Sequence, residues 1–80
     1  MNTNQYPSVN INHSPKILRL PSVKERTGLS RSSIYLKISQ GNFPVPILLG
    51  GRSVGWIEEE INNWIEQRIQ VSRNELRISK

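Results

Sequence analysis

Three groups of residues in this 80-residue chain have types and spacing that chemistry could use. Glu58, Glu59 and Glu60 form a run of carboxylates, Gly50-Gly51 precedes Arg52, and Ser30-Arg31-Ser32-Ser33 sets hydroxyls beside a guanidinium. Consecutive helical residues point in different directions, so the three carboxylates do not converge on one ion. At the start of a helix their charge instead meets the positive end of the dipole, at about 0.3 to 1 kcal/mol each. His13, the one histidine, has no other ligand beside it in a polar stretch and receives no role. The glycine pair lacks the GxxxxGK[ST] pattern of a phosphate loop, which argues against nucleotide hydrolysis. With no cysteine there is no thiolate nucleophile, disulfide framework or cysteine-ligated zinc. What survives is anion recognition: serines and an arginine at a helix N-terminus, and an arginine in a glycine turn. The expectation is a protein that is not an enzyme, with no cofactor, metal or small-molecule substrate.

The charge agrees with anion recognition. Eleven Lys and Arg face six acidic residues, all Glu, for a net charge of +5. The excess is uneven: residues 1–55 hold seven Lys/Arg against one Glu, whereas residues 56–80 hold four against five. A basic patch of this kind is the electrostatic footprint that nucleic-acid phosphates require, and equally a solvated face that keeps a protein in solution. Only 35% of residues are hydrophobic, so the ordered core is small. No apolar run is long enough to span a membrane and no basic-then-apolar leader opens the chain. The expected address is the cytoplasm, in association with the nucleoid.

Residues 1–15, with four Asn, two Pro and no charged side chain, read as a flexible arm. Residues 16–71 read as the compact domain, and 72–80 as a basic tail that either extends the last helix or frays. Within the domain, Ile17, Leu18 and Leu20 form an apolar lead-in to a helix that starts either at Pro21 or at the Ser22/Glu25 capping box. Thr27-Gly28 ends it after barely two turns, because glycine accepts the left-handed conformation of a C-terminal cap. Ser30 caps the next helix, with Leu29 and Ile34 spaced as a hydrophobic staple, and Gly41 closes it. Ile34 and Ile38 mark its buried face, flanked by Tyr35. Two short helices around Thr27-Gly28-Leu29-Ser30 match the helix-turn-helix pattern. Phe43-Pro44-Val45-Pro46 is a connector, since proline lacks a donor and extends its predecessor. Ile47–Leu49 and Arg52–Val54 then read as strands around a Gly50-Gly51 loop. Trp56 leads into a final helix whose Ile57, Ile61, Trp64, Ile65 and Ile69 recur at the 3.6 period and close the core. The fold class is mainly α with a small β-hairpin: a winged helix-turn-helix of three helices and a two-stranded wing.

The run ILRLPSVKERTGLSRSSIY from Ile17, FP at Phe43-Pro44, LGGRSVGW from Leu49 and the spaced EI..W of Glu60, Ile61 and Trp64 resemble the AlpA family of prophage transcriptional regulators. The resemblance covers most of residues 17–68. It implies a winged helix-turn-helix of the MerR and excisionase-like kind that binds promoter or attachment-site DNA of a prophage. Carried onto this chain, it implies a recognition helix from Ser30 to Ser39 and a wing with Arg52 at its turn. The sequence departs from the family pattern at Leu36 and Lys37, where apolar and polar characters are exchanged.

The expected function is that of a sequence-specific, DNA-binding prophage transcriptional regulator, acting on integrase or excision genes. The alternatives are an excisionase-like architectural factor that bends DNA, and a protein-interaction module that inhibits another regulator. The expected DNA-binding residues are Ser30, Arg31, Ser32, Ser33, Tyr35, Lys37, Arg52 and Lys24. Arg31 serves either base reading, where a bidentate guanidinium on guanine discriminates by roughly 1 to 3 kcal/mol, or phosphate clamping. Tyr35 belongs to a phosphate contact or to the core; Lys24 and Lys37 are phosphate contacts or solvated charges. Arg52 reaches into or along the minor groove, or caps an ordinary hairpin. Leu36 meets thymine methyls, a partner chain or solvent. Double-stranded DNA is the expected partner, with a homodimer or cooperative assembly on it, because one module this small offers few base contacts.

Overall fold

The computed structural model describes residues 14–78. Most of the expected arm, His13 included, lies outside the described residues. The elements run β1 (Ile17–Leu18), α1 (Leu20–Thr27), α2 (Arg31–Ser39), β2 (Ile47–Gly50), β3 (Ser53–Ile57) and α3 (Glu58–Ile78). Three helices and an antiparallel hairpin make up a mainly helical winged helix-turn-helix.

Proline at the start of α1 costs no hydrogen bond, because first-turn N–H groups have no intrahelical partner. Arg19 is the N-cap and contributes its carbonyl, which accepts from Ser22 and Val23; Ser22 and Glu25 do not form the cap. Gly28, at φ 74°, ends the helix by donating to Lys24 O at 2.8 Å. A β-branched or bulky residue is strained in that left-handed geometry, so the chain can turn into α2 within three residues only because glycine stands there. Ser30 opens α2 as expected, its hydroxyl accepting from the Ser33 N–H at 3.1 Å.

The apolar lead-in does more than precede a helix. Ile17 and Leu18 pair antiparallel with Ile57 and Trp56, so the hairpin gains a third strand and the sheet order is β1-β3-β2. Gly55 is needed beneath this crossing. A Cβ at that position would stand 2.5 Å from Ile17 Cγ2 and 3.2 Å from the Leu18 carbonyl oxygen.

Besides the start of α1 at Leu20, one residue before Pro21, two boundaries differ from the sequence expectation. The hairpin turn is Gly51-Arg52, one residue later than Gly50-Gly51, because Gly50 pairs with Ser53 and the register shifts between Leu48 and Gly50. Gly51 at φ 55° supplies the positive φ of the first turn position, and Arg52 takes a negative one. The second difference is at Trp56 and Ile57, which end β3 instead of opening the last helix. Alternation along β3 turns Trp56 inward, where it is fully buried, and sets Ile57 beside Ile17.

The core is Leu18, Val23, Ile34, Phe43, Trp56 and Ile61, one or more residues from each of α1, α2, α3, β1, β3 and the connector. Each such side chain contributes about 1.5 to 3 kcal/mol by leaving water. The prolines of the connector cannot build a ladder, and two indoles hold it instead. Trp56 Nε1 donates to the Pro44 carbonyl at 3.0 Å and Trp64 Nε1 to the Asn42 carbonyl at 2.8 Å. Phe43 sits edge-on against Trp64, ring centroids 4.8 Å apart.

Candidate nucleic-acid interface

Helix α2 has its hydrophobic side defined by buried Ile34 and half-buried Ile38. At 100° per residue, the opposite face carries Ser32, Leu36 and Ser39, all exposed. Leu36 keeps 57% of its surface in solvent at the centre of that face. The surface that a groove would meet is therefore short-chained and nearly uncharged, with an aliphatic residue in its middle. Charge lies on the flanks. Arg31 and Tyr35 occupy one edge of α2, Ser33 and Lys37 the other.

The first turn of α2 is arranged by its cap. Besides accepting from the Ser33 N–H, the Ser30 hydroxyl donates to Ser33 Oγ at 3.0 Å and lies 3.4 Å from Ser32 Oγ. Ser30 is thus occupied in holding the turn, and Ser32, exposed beside it, has its hydroxyl within hydrogen-bond reach of Ser30. No acidic residue stands in this first turn, so the positive end of the helix dipole is not neutralised locally. Phosphate oxygens are favoured at such a terminus.

Arg31 extends from the first helical position and its guanidinium carbon lies 5.1 Å from the centroid of the Tyr35 ring. Tyr35 in turn meets Trp56 edge-on, at 6.2 Å between centroids. Of the roles left open for it, the tyrosine takes the one in the core, packing on Trp56, and in addition it supports the arginine. Its exposure of 36% leaves part of the ring accessible.

Lys37 is not alongside Arg31. It is half-buried on the opposite edge of α2 and shares with Trp64 and Arg68 the two clefts between α2 and α3. Lys24 is exposed on α1, and Arg52 is exposed at the tip of the hairpin. The structure thus brings Ser30, Arg31, Ser32, Ser33 and Tyr35 into one cluster and sets Lys24, Lys37 and Arg52 at separate points around it. Arg68, absent from the sequence-based set, joins Lys37; the i, i+4 distance from Trp64 is the signal that places it there.

Arg26 has a different fate from the other cations of the basic half. Its guanidinium donates to Glu58 Oε2 and, at 2.7 Å, to Asn62 Oδ1, which ties α1 to the first turn of α3. One of the three carboxylates of the Glu58–Glu60 run is in this way a structural partner. Glu58, Glu59 and Glu60 all lie in the first turn of α3, where the dipole favours them.

The model of the family described as prophage CP4-57 regulatory protein (AlpA) matches residues 16–69, which include every element from β1 to the middle of α3. The chain is 44% identical over 54 residues to the uncharacterised protein ORF88 of Enterobacteria phage P4, over 68% of this chain and 61% of that protein. It is 42% identical over 62 residues to the DNA-binding transcriptional activator AlpA of Escherichia coli (strain K12), over 70% of this chain and 89% of that protein. The chain accordingly spans less than two thirds of the phage P4 protein's length.

Proposed function

The chain belongs to the AlpA family of prophage regulatory proteins, and on that premise we propose that it is a sequence-specific DNA-binding transcriptional regulator of a prophage, working in the cytoplasm on integrase or excision genes. The observation that carries this reading is the first turn of α2. There an uncompensated helix N-terminus, the exposed Ser32 and the ring-supported Arg31 lie together at one end of the helix. A helix entering the major groove by its N-terminal residues presents these groups to base edges and phosphates together. Arg31 reads guanine or clamps the adjacent phosphate, Ser32 and Ser33 donate to oxygens, and Lys24, Lys37 and Arg52 position the duplex from three sides. Leu36 meets thymine methyls at the centre of the reading face. The module offers its groups by binding alone and performs no reaction on the DNA.

The test is a gel shift with DNA flanking the protein's own gene at two salt concentrations, comparing the wild type with Arg31→Ala, Lys37→Ala and Arg52→Ala. Phosphate contacts are expected to lower affinity on every sequence and reduce the salt slope by about one each. Loss of a base-reading Arg31 is expected to lower affinity for the cognate site by about 5- to 160-fold and to relax sequence choice. Absence of binding to any of this DNA at low salt overturns the reading.

A further inference from the structure

Beyond its buried first turns, α3 carries a line of apolar residues, interrupted by Ser72, whose outer members Ile69 and Leu76 stay exposed in the described chain. Ile65, Ile69, Ser72 and Leu76 are spaced four, three and four residues apart, which keeps them within an arc of roughly 60° on the helix. Ile65 packs against the core, whereas Ile69 is 40% and Leu76 67% exposed. The line forms one wall of an open cleft whose other wall is Leu29 and Lys37 of the helix-turn-helix. Alternating spacings of four and three are those of residues that meet a second helix along a seam. The charges beside the seam decide which helix fits. Glu66 and Arg73 flank one side of it, Arg68 and Glu75 the other.

We propose that this face of α3 is the contact between two copies of the chain, with the helices antiparallel. In an antiparallel pair, Ile65 of one copy lies opposite Leu76 of the other, and Ile69 opposite Ser72. The same register sets Arg68 against Glu75 of its partner and Glu66 against Arg73, so all four flanking pairs are of opposite sign. A parallel pair would set Arg68 against Arg73 of the partner, like charges side by side. Antiparallel order is thus selected by sign, and it is self-complementary, as a two-fold contact must be. The cleft accepts the partner's helix: its Leu76 enters between Leu29 and Ile65, and its Glu75 comes beside Arg68.

Register also sets the separation of the two cores. In this pairing the two Ile61 residues stand roughly 28 Å apart along the helix axes, at 1.5 Å per residue. Two such heads are related by the two-fold axis of the contact, as the half-sites of a palindromic DNA site are related to each other. This last step rests on the proposed DNA binding; the contact itself does not.

Two measurements separate the contact from the DNA reading. In analytical ultracentrifugation without DNA, Leu76→Asp, Arg68→Glu and Glu75→Arg are each expected to weaken self-association at least tenfold. The combination Arg68→Glu with Glu75→Arg restores it, because the pair is reversed and not removed. Leu76 is exposed, so its variant tests contact and not folding, and circular dichroism verifies this. In gel shifts, wild type and Leu76→Asp are expected to bind a single half-site equally, while the wild type alone binds two inverted half-sites cooperatively. A wild type that sediments as a monomer up to millimolar concentration overturns the proposal and leaves the cleft to an acidic helix of another protein. Failure of the double reversal to restore association overturns the antiparallel pairing. Absence of half-site binding by every variant overturns the DNA reading and leaves the sedimentation result to decide the contact alone.

Discussion

Arg26 and Glu58 lie 32 positions apart and meet through a single guanidinium–carboxylate contact of 2.5 Å, while the other arm of the guanidinium reaches Asn62. The contact joins the helix that precedes the reading helix to the helix that closes the core. Part of the basic half's positive charge is thereby paired within the fold.

Arg26→Ala is expected to lower stability by about 0.5 to 1 kcal/mol, the modest figure appropriate to a pair still about a third exposed. For a domain of this size that corresponds to a fall in Tm of roughly 2 to 8 °C. Its affinity for DNA well below the transition should match the wild type. A large loss of affinity in a folded Arg26→Ala protein would show that the residue faces the duplex.

The Ser30 hydroxyl caps α2, so Ser30→Ala should cost about 1 kcal/mol. Ser30→Asp is expected to keep the cap and the stability, yet to weaken DNA binding by placing a negative charge where phosphate is proposed to sit. Thermal melts and gel shifts on the same two variants separate the two effects. Equal DNA affinity for Ser30→Asp and the wild type would move the phosphate away from this terminus.

Gly55→Ala places a methyl group on the path of β1. With Ile17 Cγ2 2.5 Å away and a backbone carbonyl 3.2 Å away, the expected destabilisation is about 1 to 3 kcal/mol. Truncating the obstacle relieves part of this, so Ile17→Ala combined with Gly55→Ala should be more stable than the two losses added. Strict additivity in denaturant titrations would mean that β1 does not cross there in solution.

Arg52 at the hairpin tip and Arg31 on α2 should respond differently to DNA sequence. Arg52→Ala is expected to weaken binding to cognate and unrelated DNA by the same factor, with a salt slope lower by about one. Arg31→Ala should lose more on the cognate site than on unrelated DNA. Competition titrations at two salt concentrations measure both, and an inversion of the pattern would reassign the reading role to the hairpin.

Much of this architecture was legible because it is written locally. Pro21, Thr27-Gly28, Ser30 and Gly41 mark helix ends by backbone conformation and capping, which act over a few residues, and each marked an end of α1 or α2. What escaped was non-local. Two residues, Ile17 and Leu18, are too few to show the alternation of a strand, and their pairing with Ile57 and Trp56 is visible only once the chain has folded. The same pairing lengthens β3 through Trp56 and Ile57, whose alternation was overwritten by the helical period that follows. The hairpin turn moved by one residue because three consecutive positions, Leu49, Gly50 and Gly51, share a bulge and a turn. For the proposed site, residue types picked out Arg31 and its serines and the cap formed by Ser30, but only the folded helix showed that Lys37 faces α3.

The pairing of Ile17 with Ile57 also sets an order of events during synthesis. Helices α1 and α2, of eight and nine residues, leave the ribosome first, and helices that short are marginal on their own. Their sheet partner, and Trp56 on which Tyr35 leans, follow only after the connector and hairpin have emerged. Helix α2 is consequently without the support of Trp56 until β3 is made, and a chain interrupted before Trp56 lacks both that ring contact and the third strand of its sheet.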